Sequence, residues 1–209
     1  YSINDKVLKP LLISYSETED LDLLEIIIKF IVDCCESWEI LIVKQPVFFE
    51  KLLQIAIELT FPETRIVNYQ ELDFRGYFFK FWCDLQTSCG MKRFELSKPI
   101  LAPIYDQLFS RCFSMVEFPL DSFEELSDKD IFLDYRYNIS DFLKSVFKML
   151  TCNKFLNICL TKLNEQNQPW QHYEAIVFIL KKTAIEIPSY ESKILPEIII
   201  NICDLTSIE

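Results

Sequence analysis

The polar residues of segment 133–150 are candidates for a catalytic site. Its sequence, LDYRYNISDFLKSVFKML, carries Asp134, Arg136, Ser140 and Asp141 among leucines and aromatic residues. Acids, a hydroxyl and a cation this close together could form a nucleophilic or acid–base site. The apolar residues, however, recur every three or four positions and form one stripe of a helix. We therefore expect the polar side chains to face solvent or a partner, and we predict no catalytic residue here.

The single histidine, His172, restricts the chemistry available to the rest of the chain. A Cys₂His₂ zinc site needs two histidines, and a Ser–His–Asp site needs a nucleophile elbow that the sequence lacks. The phosphate-binding patterns GxGxxG and GxxxxGK[ST] are also missing from the sequence. The sequence thus predicts no catalytic residue, no cofactor and no metal site, and His172 is expected at a helix interface or on a helix surface.

Eight cysteines lie mostly within apolar runs, and none forms a CxxC pair. A free thiol in such a run packs as a small hydrophobic side chain. This pattern indicates reduced, buried cysteines in a nuclear or cytosolic protein. Cys152 and Cys159 are two helical turns apart and could face one ligand, although core packing is the favoured interpretation.

An acidic segment, PLDSFEELSDKDIFLD, precedes the helix predicted at 134–150, and its only cation is Lys129. We expect a loop, or a loop that contains one short helical turn. Two interpretations stay open: a solvated loop, or a segment that binds a basic partner. The candidate partner-binding residues are Asp121, Glu124, Glu125, Asp128, Asp130 and Asp134.

The net charge of −11 argues against direct nucleic-acid binding, which needs a basic surface. An acidic surface suits a basic protein partner, or it simply keeps a protein in solution. The many aromatic residues indicate a helix-packing core, and otherwise grooves that bind aromatic side chains of peptides. Charges such as Lys29 and Asp33 interrupt the longest apolar runs, so no membrane segment is predicted. The chain begins at Tyr1 without an initiator methionine, so we expect a piece of a longer protein.

Only two glycines, Gly76 and Gly90, occur in 209 residues, which favours helices joined by short turns. Ser16, Thr18 and Asp20 are candidate N-caps of the first long helix. Gly76 falls inside a predicted helix, where a close approach of two helices could explain it. The apolar spacing and the proline positions predict helices over 20–43, 46–60, 64–88, 93–117, 134–150, 153–164, 169–187 and 191–205.

Antiparallel helix pairs of this size are typical of HEAT or armadillo repeats. One pair cannot bury its apolar face alone, so neighbouring pairs must stack. We therefore predict an all-α superhelical solenoid formed by a single segment over 1–209. Its pairs are expected at 1–43, 46–88, 93–150 and 152–187, with a partial pair at 191–209.

Three stretches follow one another in an order that resembles a known family. They are FKFWCDL, DYRYNISDFLKSVFKML and LTKLNEQNQPWQHYEAIVFILKKTAIEI. The R-x-x-x-S-D core from Arg136 to Asp141 is similar to that of transportin-SR, in the importin-β superfamily, and so is the PW-x-x-x-E-A pattern from Pro169 to Ala175. The resemblance covers about residues 65–188, and the importin-13 branch shares the layout.

The resemblance implies HEAT repeats with outer A helices at 46–60, 93–117 and 152–164. The inner B helices would be 20–43, 64–88, 134–150 and 169–187. It also implies a shuttling nuclear import receptor, without catalysis, that binds basic or Arg-Ser-rich protein cargo, Ran GTPase and FG nucleoporins. Residues expected to join adjacent repeats are Arg136, Asp141, Trp82 and Trp170. The alternative hypothesis is a HEAT or armadillo scaffold that organises a stable protein complex.

Overall fold

The computed structural model describes residues 15, 20–63, 68–121 and 123–205, and all regular secondary structure in this part is helical. The all-α class is therefore confirmed. The α-helices are Leu21–Ser37 (α1), Glu39–Lys44 (α2), Glu50–Thr60 (α3), Gln70–Arg75 (α4), Phe78–Cys89 (α5), Lys98–Val116 (α6), Leu126–Met149 (α7), Cys152–Leu163 (α8), Trp170–Thr183 (α9) and Ile194–Leu205 (α10), with short 3₁₀ helices at Lys92–Ser97 and Ala184–Glu186.

The helices pack in two layers, as expected for a helical solenoid. Layer A consists of α3, α6, α8 and α10, in which α3 contacts α6 and α8 contacts α10. The rings of Phe109 and Phe155, 4.3 Å apart, join α6 to α8. Layer B consists of α1, α2, α4, α5, α7 and α9, and each helix pair along it is in contact with the next. These layers correspond to the A and B helices that the family resemblance implies.

A continuous apolar seam lies between the two layers. Helix α6 packs on α7, and α8 packs on α9, so these two pairs close over buried side chains. The fully buried residues Trp82, Tyr105 and Phe142 come from three successive helices along this seam. Burial of apolar area at about 25 cal/mol per Å² is the main stabilising contribution.

Two predicted layer B helices are each divided in two. The prediction of one helix over 20–43 is wrong, because Trp38 has ψ near 10° and separates α1 from α2. Within 64–88, Gly76 and Tyr77 separate α4 from α5, and residues 64–67 lie outside the described part. Helix α1 contacts α4 and α2 contacts α5, so the two interruptions occur at matching positions in neighbouring repeats. Packing between neighbouring repeats of layer B therefore determines where these helices are interrupted. The apolar periodicity of one helix cannot reveal such an interruption.

No close helix approach explains Gly76, contrary to the expectation. A Cβ atom there would lie 3.4 Å from the carbonyl oxygens of Leu72 and Asp73, which belong to the preceding turn. Its φ of −61° is ordinary for any residue. Gly76 is thus the C-cap of α4 in a right-handed conformation, and a side chain there would make only ordinary contacts.

Two layer A helices begin later than predicted. Residues 46–49 form successive turns, in which the Phe49 amide donates to the Pro46 carbonyl at 3.1 Å, and α3 begins only at Glu50. A 3₁₀ helix occupies Lys92–Ser97 before α6 begins at Lys98. Proline fits the first helical turn because its missing N–H has no partner there, so Pro99 marks the true start.

Asp20 is the N-cap of α1, since its carboxylate accepts from the amides of Asp22 and Leu23 at 3.0 and 3.2 Å. The other two candidate caps, Ser16 and Thr18, lie outside the described residues. So do positions 1–14, with which the first predicted pair begins.

The acidic segment is more helical than expected, because α7 begins at Leu126. Asp128, Asp130 and Asp134 therefore lie on a helix, and the loop covers only the residues between α6 and α7. Phe132 and Tyr135 are buried and extend the apolar stripe of α7 towards its N-terminus. Packing of such a stripe stabilises a helix even where charged residues are dense.

Candidate partner-binding surface

The six predicted partner-binding acids divide between the α6–α7 loop and α7. Five of them are exposed and Asp128 is half-buried. None of the six forms an ion pair within the described part of the chain, so their charges are not neutralised by a neighbouring cation. The loop acids are Asp121, Glu124 and Glu125, and the helical acids are Asp128, Asp130 and Asp134.

Aromatic contacts fix the loop that carries three of these acids. The ring of Phe118 packs on that of Phe132 at 5.2 Å, and the ring of Phe123 packs on Phe132 at 5.6 Å. The side-chain amide of Gln171, at the start of α9, donates to the Pro119 carbonyl at 3.1 Å. An anchored loop loses less conformational entropy when it binds a partner.

Arg136 is buried and joins the loop, α7 and α9. Its guanidinium lies 4.5 Å from the ring centre of Phe118 and 4.0 Å from that of Phe178. Its Nη2 donates to both carboxylate oxygens of Glu174, at 2.7 and 2.8 Å. The R-x-x-x-S-D and PW-x-x-x-E-A patterns that carry the family resemblance therefore meet in space, through their arginine and their glutamate.

The other three residues expected between repeats have different surroundings. Trp82 is fully buried, and its indole N–H donates to the Thr60 hydroxyl at 3.0 Å, which joins α5 to α3. Asp141 is exposed and pairs with Lys144 on its own helix at 2.8 Å. Trp170 is 62% exposed at the start of α9. The Trp82–Thr60 bond lies within one predicted pair, and the ring of Trp170 lies 5.9 Å from that of Phe118 in the preceding loop. A role in joining adjacent repeats stays a prediction for all four residues.

A groove of about 390 Å³ crosses layer B between α4–α5 and α7. Asp73 and Tyr77 lie on one wall, Asn138 lies on the other, and Phe79 and Tyr135 form an apolar floor. Burial, and then the nearby carboxylate of Asp134, raise the pKa of Asp73 above its usual value. Sequence patterns did not single out Asp73, because one acid on a helix is ordinary.

A second groove, of about 300 Å³, crosses layer A between α3 and α6. Its apolar lining comes from Pro46, Val47, Ile100, Pro103 and Ile104. Pro46, which lies in the turns that precede α3, thus also forms part of one wall of this groove. Apolar grooves with a polar rim are suited to apolar side chains of a peptide.

His172 is buried at a junction of three helices. Its Nδ1 lies 2.8 Å from a Glu117 carboxylate oxygen, and its Nε2 lies 3.0 Å from the Lys162 carbonyl oxygen. Glu117 follows α6 and Lys162 is near the end of α8, so the imidazole joins the ends of two helices to the start of α9. The ring nitrogens are both engaged in these structural contacts and face no nucleophile.

The thiols of four cysteines, Cys35, Cys89, Cys112 and Cys159, are free and buried. Burial raises the pKa of Cys112 and of Cys159 well above the ordinary thiol range, and it raises that of Cys89 to about 11. These thiols stay protonated at neutral pH and pack in the core. Within the described ranges, no group of histidine, cysteine and acidic side chains has the arrangement of a metal site.

Among the described helices, none combines the length and the apolarity that crossing a bilayer requires.

Comparison with known proteins identifies relatives along most of the chain. A family model described as the second TPR domain of transportin-3 and importin-13 matches residues 19–114. The mRNA transport regulator MTR10 of Saccharomyces cerevisiae is 31% identical over 189 residues, which are 89% of this chain and 19% of that protein. Importin-13 of Homo sapiens and of Bos taurus are each 30% identical over 130 residues, which are 57% of this chain and 14% of theirs.

The chain thus spans 19% of the length of MTR10 and 14% of that of the importin-13 relatives. The family match begins well before residue 65, so the similarity includes the first helices, which the sequence patterns had related to the family only loosely. Since this match and the similarity to MTR10 agree with the order of the three sequence motifs and with the two-layered helical fold, the chain belongs to the transportin-3/importin-13 branch of the importin-β superfamily.

Proposed function

We propose that this chain is a segment of a nuclear import receptor that binds protein cargo without catalysis. The observation that carries the proposal is family membership, because the relatives are importin-13 and a regulator of mRNA transport. The proposed cargo is basic or Arg-Ser-rich, and Ran·GTP would control its release. The receptor would shuttle between cytoplasm and nucleus, and residues 1–209 would be one continuous stretch of its solenoid.

The exposed acids support a basic protein partner. The chain carries 32 acidic residues against 21 lysines and arginines, so its average surface repels a nucleic-acid backbone. Asp121, Glu124 and Glu125 project from a loop that ring packing anchors, without competing cations. Such acids would attract a basic cargo chiefly by speeding its encounter with the receptor.

The groove between α3 and α6 supports a second class of partner, the FG nucleoporins. A phenylalanine side chain could enter between Val47 and Ile100 and pack on Pro103 and Ile104. Phe48, 79% exposed beside the groove, adds an aromatic surface to it. Substitution of Ile104 by Asp would place a charge in the groove and should abolish capture on beads that carry an FG-repeat peptide.

The decisive experiment uses the full-length gene product. An immobilised Arg-Ser peptide should retain it, and Ran·GTP should elute it, whereas Ran·GDP should not. Retention that does not respond to the nucleotide would instead favour the scaffold hypothesis. Absence of any binding to basic proteins or to Ran would contradict the proposal.

Charge reversal tests the acidic loop within the same assay. Asp121→Lys, Glu124→Lys and Glu125→Lys together should weaken basic cargo about tenfold and reduce the salt dependence of binding. The matched control reverses three exposed acids elsewhere, Glu95, Glu197 and Asp204. An equal loss in both variants would show that only net charge matters.

A further inference from the structure

The first turn of α9 holds the loop that follows α6. The ring of Trp170 lies 5.9 Å from that of Phe118. The side-chain amide of Gln171 donates to the carbonyl oxygens of Pro119 and Leu120, at 3.1 and 3.5 Å. Successive residues of an α-helix point about 100° apart, so contacts from neighbouring positions require the loop to curve around the end of the helix.

His172, the third residue of α9, is buried and completes this contact. Its Nδ1 lies 2.8 Å from a carboxylate oxygen of Glu117, the first residue after α6, and its Nε2 lies 3.0 Å from the Lys162 carbonyl oxygen. Neither an ionised carboxylate nor a backbone carbonyl has a hydrogen to donate, so both partners are acceptors. A neutral imidazole has a single N–H and can satisfy only one of them. The arrangement therefore needs a second hydrogen on the ring.

The charges around the imidazole favour that second hydrogen. The Glu165 carboxylate, in the turn between α8 and α9, lies 3.7 Å from Nε2 and pairs with the Lys162 ammonium at 2.9 Å. The ring of Tyr173 packs edge-on, 5.7 Å away. On α7, the cation of Arg136 is paired with Glu174. Two carboxylates and one ammonium are thus the charges closest to the ring, and nearby opposite charge favours a positive ring over a neutral one.

We propose that His172 is an imidazolium in the folded chain and holds the α6–α7 loop to α9 in a pH-dependent way. The ring donates one hydrogen bond to Glu117 and one to the Lys162 carbonyl. When it loses a proton, one nitrogen directs a lone pair at an acceptor oxygen, and that contact opens. Raising the pH therefore loosens the loop, while the contacts of Gln171 and Trp170 remain. This inference does not depend on the proposed function, because it concerns how the loop is held and not what the loop binds.

Hydrogen–deuterium exchange of the full-length gene product, read by mass spectrometry, tests the proposal. Uptake in peptides that cover residues 117–125 is compared between about pH 6 and about pH 8.5, where an imidazole changes its protonation state. Each value is corrected for the intrinsic pH dependence of amide exchange. Protection of the loop should fall about fivefold across this range, the size expected from the loss of one hydrogen bond. Protection of residues 142–149, in the buried half of α7, should stay constant.

Three variants separate the imidazolium from other effects of pH. In Glu117→Gln the introduced amide can donate to the ring, so a neutral imidazole satisfies both contacts and loop protection should not depend on pH. His172→Gln removes the titrating group and should also abolish the dependence. The matched control is Glu165→Gln, because that carboxylate lies 3.7 Å from the ring, beyond hydrogen-bond distance. The control should keep the pH dependence of the parent within about twofold.

Three results overturn the proposal: loop protection in the parent that does not change with pH, a pH dependence that persists in Glu117→Gln and His172→Gln, or a dependence that is lost equally in the Glu165→Gln control. Circular dichroism verifies that each variant is folded, and the parent together with either Glu117→Gln or His172→Gln is sufficient for the decision. The import function is tested separately, through nucleotide-sensitive cargo release.

Discussion

Arg136 illustrates how a single buried charge depends on its surroundings. It lies between two phenylalanine rings and donates two hydrogen bonds to Glu174, while its Nε has no partner in the described part of the molecule. Removing the partner of a buried charge costs far more than the pair contributes net, because the charge stays desolvated. This residue therefore makes α7 and α9 interdependent.

Glu174→Gln should lower the free energy of unfolding by about 1–3 kcal/mol, since the amide replaces the counter-charge of Arg136. Arg136→Met keeps much of the packing, and the two substitutions together should cost less than their sum by about 1 kcal/mol. Urea denaturation of the four proteins gives this coupling energy. If the changes in unfolding free energy of the two single variants add up to that of the double variant, Arg136 and Glu174 are not coupled.

Thr60 provides a second test at this scale, through the buried indole of Trp82. Thr60→Val keeps the side-chain shape but leaves the indole N–H without its acceptor, so we expect a loss of about 1–3 kcal/mol. The control is Thr161→Val, because that hydroxyl is exposed and donates only to the Asn157 carbonyl of its own helix. Equal effects in thermal unfolding would argue against a structural role for the Trp82–Thr60 contact.

At the scale of helices, the interruption between α4 and α5 has a local and a long-range component. Gly76 has ordinary helical dihedrals and no close neighbour outside its own turn. Nothing in its backbone therefore requires glycine. The matching interruption at Trp38 in the preceding repeat indicates that contact between neighbouring pairs determines where both occur.

Gly76→Ala should accordingly stabilise the chain by about 0.4–1 kcal/mol, because it reduces the entropy of the unfolded state at a compatible φ. Gly90→Ala is the contrasting variant: its Cβ would lie 3.2 Å from the Thr87 carbonyl oxygen, so the gain should be smaller or absent. Melting temperatures rank the two substitutions. A clear loss at Gly76 would mean that a side chain there disturbs packing after all.

For the whole molecule, the stacked pairs produce two extended layers with different surfaces. Layer A presents an apolar groove, whereas the α6–α7 loop and the first turns of α7 present exposed acids that form no ion pair within the described residues. Long-range attraction by such acids acts mainly on association rates and is screened by salt. Short contacts in a groove act mainly on dissociation.

Raising the ionic strength from about 0.05 to about 0.3 M should therefore slow association of a basic cargo roughly tenfold and change its dissociation little. Stopped-flow measurements on the parent and on the loop charge-reversal variant compare the two salt dependences. The variant should show the shallower dependence. Association rates that do not change with salt would contradict electrostatic attraction by this surface.

Local periodicity in the sequence was sufficient to predict most of the helices. The spacing of Phe142, Val146 and their neighbours, with only two glycines in the chain, predicts an all-α protein of paired helices. The same local reasoning predicted the start of α7 too late, because the many acidic residues of that segment indicated a loop. The buried side chains of Phe132 and Tyr135 stabilise the helix there. Local periodicity also predicted one helix where α1 and α2 are separated at Trp38, since an interruption that depends on packing leaves no pattern in the local sequence.

The sequence by itself thus determined the helical class, the approximate elements and the family motifs, because helix periodicity and short patterns are local properties. Only the tertiary structure decided that Arg136 meets Glu174 and that Trp82 meets Thr60. Those pairs are distant in the chain. Their proximity depends on which helices stack as neighbours, and that is set by the packing of all the buried side chains together.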